Sequence, residues 1–339
     1  RVRWLWLEFR RVLFRSNNKN KHSPSIVRFS EHKSLLDFGF KKQTKKFFKK
    51  YKNQCKSDIK SNELVKFIEF TYSYSMIALN KYSSKYSKKL YSQPALFTIV
   101  ALKIYLNMTY REIMDFVSFS SGLRSYLKIK KSPNYSTLQK FFKKMPTDMF
   151  ERITEQIIRH LRIKPKLIAL DGTGFTNDYA DKYYAQIRGK ERKSFTKCHV
   201  VVDVDSRIIL YSQATKGPRH DTKFAIAAIR SLKKYYVDYI IADKAYDTNK
   251  IRECINEEIN ASDQIPLKSN FKHGWYRRLS LKTFDEEIYS RRNNVESIFS
   301  VIKRKFSGTN KSKHTRLQNK ETRLKTAIYN IDRVVKILN

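Results

Sequence analysis

A chain of 339 residues, 41% hydrophobic and 14% aromatic, can bury one large core with a smaller domain appended, which excludes a disordered tail protein. Its 71 Lys and Arg against 31 Asp and Glu leave a formal charge of +40, too lopsided for a generic soluble enzyme and suited to a polyanion, nucleic acid being the commonest. The plain alternative is a lysine-rich solubilising surface encoded by an AT-rich genome. The most apolar stretch, PALFTIVALKIYL (94–106), is too short to span a bilayer and holds Lys103, so no membrane association is expected. Cys55, Cys198 and Cys254 are odd in number and form no C-x-x-C, which indicates neither a disulfide framework nor a zinc site and points to the cytoplasm.

Residues 1–16 use five Arg and no Lys, unlike the Lys-rich sequence after them, and show neither an initiating Met nor a signal-peptide core. They read as a non-native scar, set aside from fold reasoning. Residues 17–61 read as a basic arm, with nine Lys in 41–60. From 62 to 163 the apolar spacing is helical, and Thr109 with Glu112 and Ser136 with Gln139 are spaced as capping boxes. The helix opened by Ser136 puts Leu138, Phe141, Phe142 and Met145 on one side and Lys140, Lys143 and Lys144 on the other. Those lysines are candidate DNA contacts, and an ordinary solvated face has the same pattern. The two capped helices lie too far apart for a tight helix-turn-helix, whose turn is about 3–4 residues.

After Pro165 the pattern turns to strands at 166–170, 198–204, 207–213, 238–242 and 264–268. The second and third are joined as a hairpin through Asp205 and Ser206, and a helix at 221–236 separates the third from the fourth. The order predicts an α/β, RNase H-like domain over 164–306, a mixed five-stranded sheet flanked by helices, preceded by an all-α region. Residues 307–339 are expected to form a basic helical tail.

Two predicted strands end in acids, LIALD at Asp171 and YIIAD at Asp243. An Asp at a strand end usually caps a turn. On adjacent parallel strands, however, both would face the crevice beyond the carboxyl ends, where their repulsion calls for a proton or a cation. A pair of Mg²⁺ ions held by three carboxylates about 3.5–4 Å apart is one resolution, and it suits phosphodiester chemistry.

A third acid is at hand in YSRRNNVESIFSVIKRKF (289–306), where Glu296 sits among five basic side chains. Read as one helix, the stretch aligns Val295, Ile298, Phe299, Ile302 and Phe306 as an apolar stripe, with Tyr289, Arg292, Glu296 and Lys303 along its border. Arg292 and Lys303 would grip phosphate on either side of the acid. A solvated helix whose Glu simply pairs with Arg292 and Lys303 explains the residue types equally well. The spacing decides between them.

Tyr289, Arg292, Glu296 and Lys303 match Y-(2)-R-(3)-E-(6)-K, and in this the chain resembles insertion-sequence transposases of the DDE class. LIALDGTGF, IIADKAYD and LYSQATKGPRHDTKF resemble other segments of that family, so the likeness runs over roughly 90–339. The resemblance implies Asp171, Asp243 and Glu296 as the catalytic, metal-binding triad and Tyr289, Arg292 and Lys303 as contacts to the transposon end. It implies Mg²⁺, for which Mn²⁺ can substitute, and hydrolysis at the element's ends followed by attack of the freed 3′-OH on target DNA. The expected partners are double-stranded DNA, as transposon ends and target, and a second copy of the chain in a homodimeric synaptic complex. The expected location is the prokaryotic cytoplasm, at the nucleoid. The short interval from Asp243 to Glu296 leaves no room for the large β-rich insertion of some relatives.

Other polar residues read more plainly. Asp221 is expected to cap the following helix, with His220 near the crevice; Lys197 and His199 straddle a strand start; Asp203 and Asp205 belong to the hairpin. The acid run 285–287 favours the N-terminus of the helix after it. Two rival readings use the same residues: a decayed or domesticated DNA-binding protein that no longer cuts, and a structure-specific nuclease such as a junction resolvase. The intact acids oppose the first, and the helical region ahead of the core with the full Y-R-E-K set opposes the second.

Overall fold

The computed structural model describes residues 62–177, 195–217, 222–269 and 273–339. The expected scar, the basic arm, His220 and Asp221 lie outside them. The helical region consists of α1 (Glu63–Ala78), α2 (Gln93–Tyr105), α3 (Tyr110–Phe119), α4 (Ser121–Tyr126), α5 (Tyr135–Lys144) and α6 (Met149–Leu161). α2 is apolar nearly all round and buried from Pro94 to Ile104, as a core helix must be. α3 starts with the expected capping box: the Thr109 hydroxyl accepts from the Glu112 amide at 3.3 Å, and the Glu112 carboxylate accepts from the Thr109 amide at 2.8 Å. α5 departs from expectation. It is capped by Asn134, whose side chain accepts from the Ser136 amide at 2.9 Å, so Ser136 lies inside the first turn.

The sheet is built from β1 (Leu167–Asn177), β2 (Phe195–Asp203), β3 (Ile208–Lys216), β4 (Tyr239–Ala242) and β5 (Ser262–Gln264) in the order 3-2-1-4-5. β1, β2 and β3 run antiparallel, whereas β4 and β5 run parallel to β1. That is the RNase H-like arrangement, with a two-residue sixth strand, β6 (Thr309–Asn310), added at the far end of β1. Leu167 to Leu170 are buried without alternation, as expected for a strand covered on both faces. The β2–β3 turn is held by Asp203, whose carboxylate accepts from the Ser206 amide at 3.0 Å and its hydroxyl at 2.5 Å, with Arg207 left-handed at φ 60°. The fifth strand starts two residues and ends four residues earlier than expected, stopping short of Pro266, which has no amide for the ladder.

The helices that complete the domain are α7 (Thr222–Arg230), α8 (Asn249–Glu253), α9 (Trp275–Thr283), α10 (Glu286–Ser290), α11 (Asn293–Phe306) and α12 (Thr315–Ile337). α7 stops at Arg230, short of the expected 236. Residues 307–339 do not form a tail. α12 is buried over most of its length, packs on β2 and β3 and against α1, α2 and α6, and so shares one core with the helical region and the sheet. Its basic residues serve this position. Lys320 donates to the carbonyls of Phe142, Lys143 and Met145 at 2.7–3.1 Å, closing the end of α5, and Lys325 donates to those of Ser307 and Thr309 at 3.0 and 2.8 Å, closing the end of α11. Asn330 bonds both backbone groups of Ile209, beside the point where the β2–β3 register shifts.

Candidate active site

β1 and β4 pair in parallel only from Leu167 with Tyr239 to Leu170 with Ala242. The next residue on each strand is the acid, Asp171 or Asp243. Asp171 is not a strand end, as expected from sequence, because β1 runs on to Asn177 against β2, with Asp171 opposite Val200. It stands where the parallel ladder stops and the two backbones part, which is where a crevice opens in an α/β sheet. The Asp171 carboxylate accepts from the Gly172 amide at 2.7 Å, and Asp243 from the Lys244 amide at 2.6 Å as it caps a one-turn 3₁₀ helix, Lys244–Tyr246.

The third acid arrives differently from the expected single helix. The chain breaks between α10 and α11, so Tyr289 belongs to α10 while Arg292 is the N-cap of α11 and Glu296 lies in its first turn. Asp285 starts α10 by accepting from the Glu287 and Ile288 amides at 2.8 and 3.1 Å, so the acid run serves α10 by a side-chain cap and not the helix that carries Glu296. The apolar stripe Val295, Ile298, Phe299, Ile302 and Phe306 is buried as predicted.

Arg292 joins the elements. Its guanidinium donates to Glu296 at 3.1 Å, one turn along α11, and faces Asp171 at 3.5 Å across the crevice. The Asp171 and Arg292 side chains are 18% and 19% exposed against 61% for Glu296, so the arginine reaches inward and the glutamate stands at the rim. Burial pushes the Asp171 carboxyl above the usual range, the Gly172 amide and Arg292 oppose that rise, and the charges of Asp243 and Glu296 add to it. The charges of Asp243 and Glu296 thus both reach Asp171.

The other expected contacts flank it. Tyr289 is half-buried against Phe284, ring centroids 5.5 Å apart. Lys303 is half-buried with its ammonium 5.9 Å from the Phe175 ring centroid, and among the described residues no carboxylate lies within ion-pair distance of it. The bland reading that Lys303 pairs with Glu296 is thereby removed, while its Arg292 half is observed. Lys140, Lys143 and Lys144 are exposed on α5, away from the acids in sequence and on a different element. His199 is buried on β2 and stacked on Phe224 at 4.7 Å; Asp205 pairs with Arg291, tying the hairpin turn to the approach to α11.

A divalent cation is the expected occupant. The chemistry of the donors suits one: Asp171, Asp243 and Glu296 offer hard carboxylate oxygens, and Asp171 is half-buried beside a single arginine. Among the described residues no three acidic, His or Cys side chains converge at ligating distance; Asp171 and Glu296 both face Arg292.

Sequence reasoning missed a buried ionic cluster beneath Asp243. Arg252, fully buried, donates to Asp247 at 3.1 Å, to the Ser280 hydroxyl at 2.5 Å and to the Ile265 carbonyl at 2.7 Å, and it also pairs with Asp263. The available signal was Arg252 directly beside the buried Ile251 in a short helix, which a chain so rich in Lys and Arg disguises as surface.

Residues 162–331, which contain all three acids, match the family model described as Transposase DDE domain. Over 109 residues the chain is 32% identical to a protein named as a transposase for insertion sequence element IS6501 of Brucella ovis, a match covering 32% of this chain and 76% of that one. The fold aligns with a piggyBac transposase from a synaptic complex with hairpin DNA at 10% identity and a TM-score of 0.45, covering 82% of this chain and 73% of that one. A Mos1 pre-cleavage transpososome aligns at 10% identity and a TM-score of 0.22, covering 88% and 87%. At those scores the two structural likenesses decide nothing, and the sequence matches carry the assignment. The chain belongs to the DDE-domain transposases of insertion sequences.

Proposed function

We propose that this transposase cuts DNA at transposon ends and joins the freed 3′-OH to target DNA through Asp171, Asp243 and Glu296. The observation that carries the reading is Arg292 held between Asp171 and Glu296, with Asp243 close enough to raise the Asp171 carboxyl. Two acids from separate elements share one arginine, and the charge of a third reaches the first, a set that a divalent cation could neutralise once Arg292 turns to phosphate. The carboxylates would hold Mg²⁺, with Mn²⁺ as a substitute; when bound, the metal supplies an activated attacking oxygen and stabilises the leaving one.

The chain's own side chains do the rest. Arg292, planar and bidentate, can exchange a carboxylate for a phosphate oxygen without leaving the crevice, which fits it to seat the scissile backbone beside the acids. Lys303, free of described carboxylates, offers a point charge further along α11, and Tyr289 lines the same rim from α10. The exposed Lys140, Lys143 and Lys144 extend the positive surface to α5, and a homodimer pairing two ends would place two such sites on two DNA ends.

The test is cleavage of duplex DNA bearing the element's terminal sequences in Mg²⁺, comparing wild type with Asp243→Asn. Nicking at the element boundary by wild type and none by the variant supports the reading. Equal nicking by both removes Asp243 from it.

A further inference from the structure

Asp243 follows a short strand and is exposed, yet the turn it caps is anchored at its far end by Asp247. The Asp243 carbonyl accepts from the Tyr246 amide at 2.9 Å, the Asp247 amide donates to the Lys244 carbonyl at 3.1 Å, and Tyr246 is buried. This turn makes residues 243–247 a stiff link, so whatever fixes Asp247 also fixes the direction of Asp243. Asp247 is wholly buried. One of its oxygens accepts from Arg252 at 3.1 Å and from Arg277 at 3.0 Å, and the other accepts from the Lys268 amide at 2.9 Å.

Arg277 grips the same residue twice, since its second nitrogen donates to the Asp247 backbone carbonyl at 2.8 Å. It comes from α9, which is remote in sequence from the turn. A second feature shows that α9 is fitted to this loop. Gly274, just before α9, has φ 133°, a backbone conformation that side chains rarely adopt, and a Cβ there would also crowd the Asn249 side-chain oxygen at 2.8 Å and Arg277 Cδ at 3.3 Å. Arg252 alone satisfies Asp247 as a charge partner. The double grip from α9 is additional and directional, and it acts on the backbone of the turn rather than on the core.

We infer that Arg277, seated by Gly274, is a positioning residue that orients Asp243 for metal binding by clamping Asp247. The inference rests on the reading of Asp243 as a metal-binding carboxylate. Groups that orient metal-binding side chains change affinity by about 10–100-fold when removed. A residue that merely stabilised the fold would change melting temperature and leave the affinity of the folded protein alone.

The experiment is calorimetric titration of Mn²⁺ into the full-length protein without DNA, for wild type, Arg277→Ala, Arg277→Lys, Gly274→Ala and Asp243→Asn, with the melting temperature of each. Arg277→Ala is expected to weaken Mn²⁺ binding about 10–100-fold. Arg277→Lys should lie between it and wild type, because an ammonium cannot span side chain and backbone as the guanidinium does. Gly274→Ala, which leaves every charge in place, should move in the same direction as Arg277→Ala. Wild-type Mn²⁺ affinity in Arg277→Ala, whatever its melting temperature, overturns the inference provided Asp243→Asn has lost binding. If Arg277→Ala does not fold, wild-type affinity in both Arg277→Lys and Gly274→Ala overturns it. Asp243→Asn binding as tightly as wild type, or wild type not binding at all, defeats the metal reading of Asp243 and with it this inference.

Discussion

Asp171 and Asp243 each follow directly on a residue of the last parallel pair, Leu170 with Ala242, so the backbone ladder brings both acids to the same end of adjacent strands. That register is fixed by buried strands, and the proposed third acid, Glu296, comes from the first turn of α11. Groups that act as a unit lose activity together. Asp171→Ala, Asp243→Ala and Glu296→Ala are each expected to abolish Mg²⁺-dependent end cleavage while end binding persists, and combining them should add little. Gel analysis of end cleavage beside a binding assay checks this; full cleavage by any single variant removes that residue from the triad.

The burial of Asp171, with a smaller push from the neighbouring acids, predicts a stability effect with a definite sign. The folded Asp171 carboxyl is raised, so the folded state holds its proton to higher pH than the unfolded chain does. Its contribution is favourable below the ordinary Asp value of about 3.9 and is lost as pH rises through the folded value. Asp171→Asn mimics the protonated form. It should therefore melt above wild type at pH 7 in the absence of divalent metal, and the gap should close as pH falls below about 4. A variant less stable than wild type at pH 7 would mean that the Arg292 contact outweighs burial and repulsion.

How far the sequence disclosed this site differs from element to element. The runs Leu167–Leu170 and Tyr239–Ala242 announce covered parallel strands because they lack alternation, and an acid after each is visible without coordinates. The spacing from Tyr289 to Lys303 was legible too, but not the break after Ser290: no Gly or Pro marks it, and it depends on Asp285 starting α10 and Arg292 turning inward to Asp171. α12 was misread because Lys320 and Lys325 count as surface charge in any composition, while in the fold their stems cross the core and their ammonium groups meet carbonyls at the ends of α5 and α11. Arg252 was hidden for the same reason. Charge is local in sequence, whereas its partners Asp247, Asp263 and Ser280 are assembled only by the tertiary structure.

That hidden cluster should govern stability more than any other set of charges in the chain. Arg252→Met keeps the side-chain bulk but leaves Asp263 with only the neutral donors Asn256 and Ser280 and deprives Asp247 of one of its cations in a dry interior. Removing one partner of a buried ion pair costs about 3–5 kcal/mol. Urea unfolding of Arg252→Met is expected to show a loss of that order, against about 0–1 kcal/mol for Lys166→Met, whose pairing with Asp238 is exposed. A loss below about 1 kcal/mol in Arg252→Met would mean that water enters the cluster freely.

Grip and chemistry on α11 can be separated by salt. Arg292 is engaged by Asp171 and Glu296 at rest, whereas Lys303 faces no described carboxylate, so the two should respond differently to DNA. Losing one phosphate contact lowers the slope of log affinity against log salt by about 0.9 on duplex DNA. Lys303→Ala is expected to bind the element's ends more weakly, with that shallower slope and partial recovery at low salt. Glu296→Gln should bind at least as tightly as wild type, because a repelling charge is removed and Arg292 is released toward phosphate, yet it should cut nothing. Arg292→Lys keeps the charge but cannot reach two oxygens at once, so its binding should fall further than charge alone predicts. End binding across a salt series for the three variants beside wild type is the measurement. An unchanged slope for Lys303→Ala would return that lysine to a packing role over Phe175, and weaker binding by Glu296→Gln would show that the Arg292–Glu296 pair presents the arginine to DNA instead of restraining it.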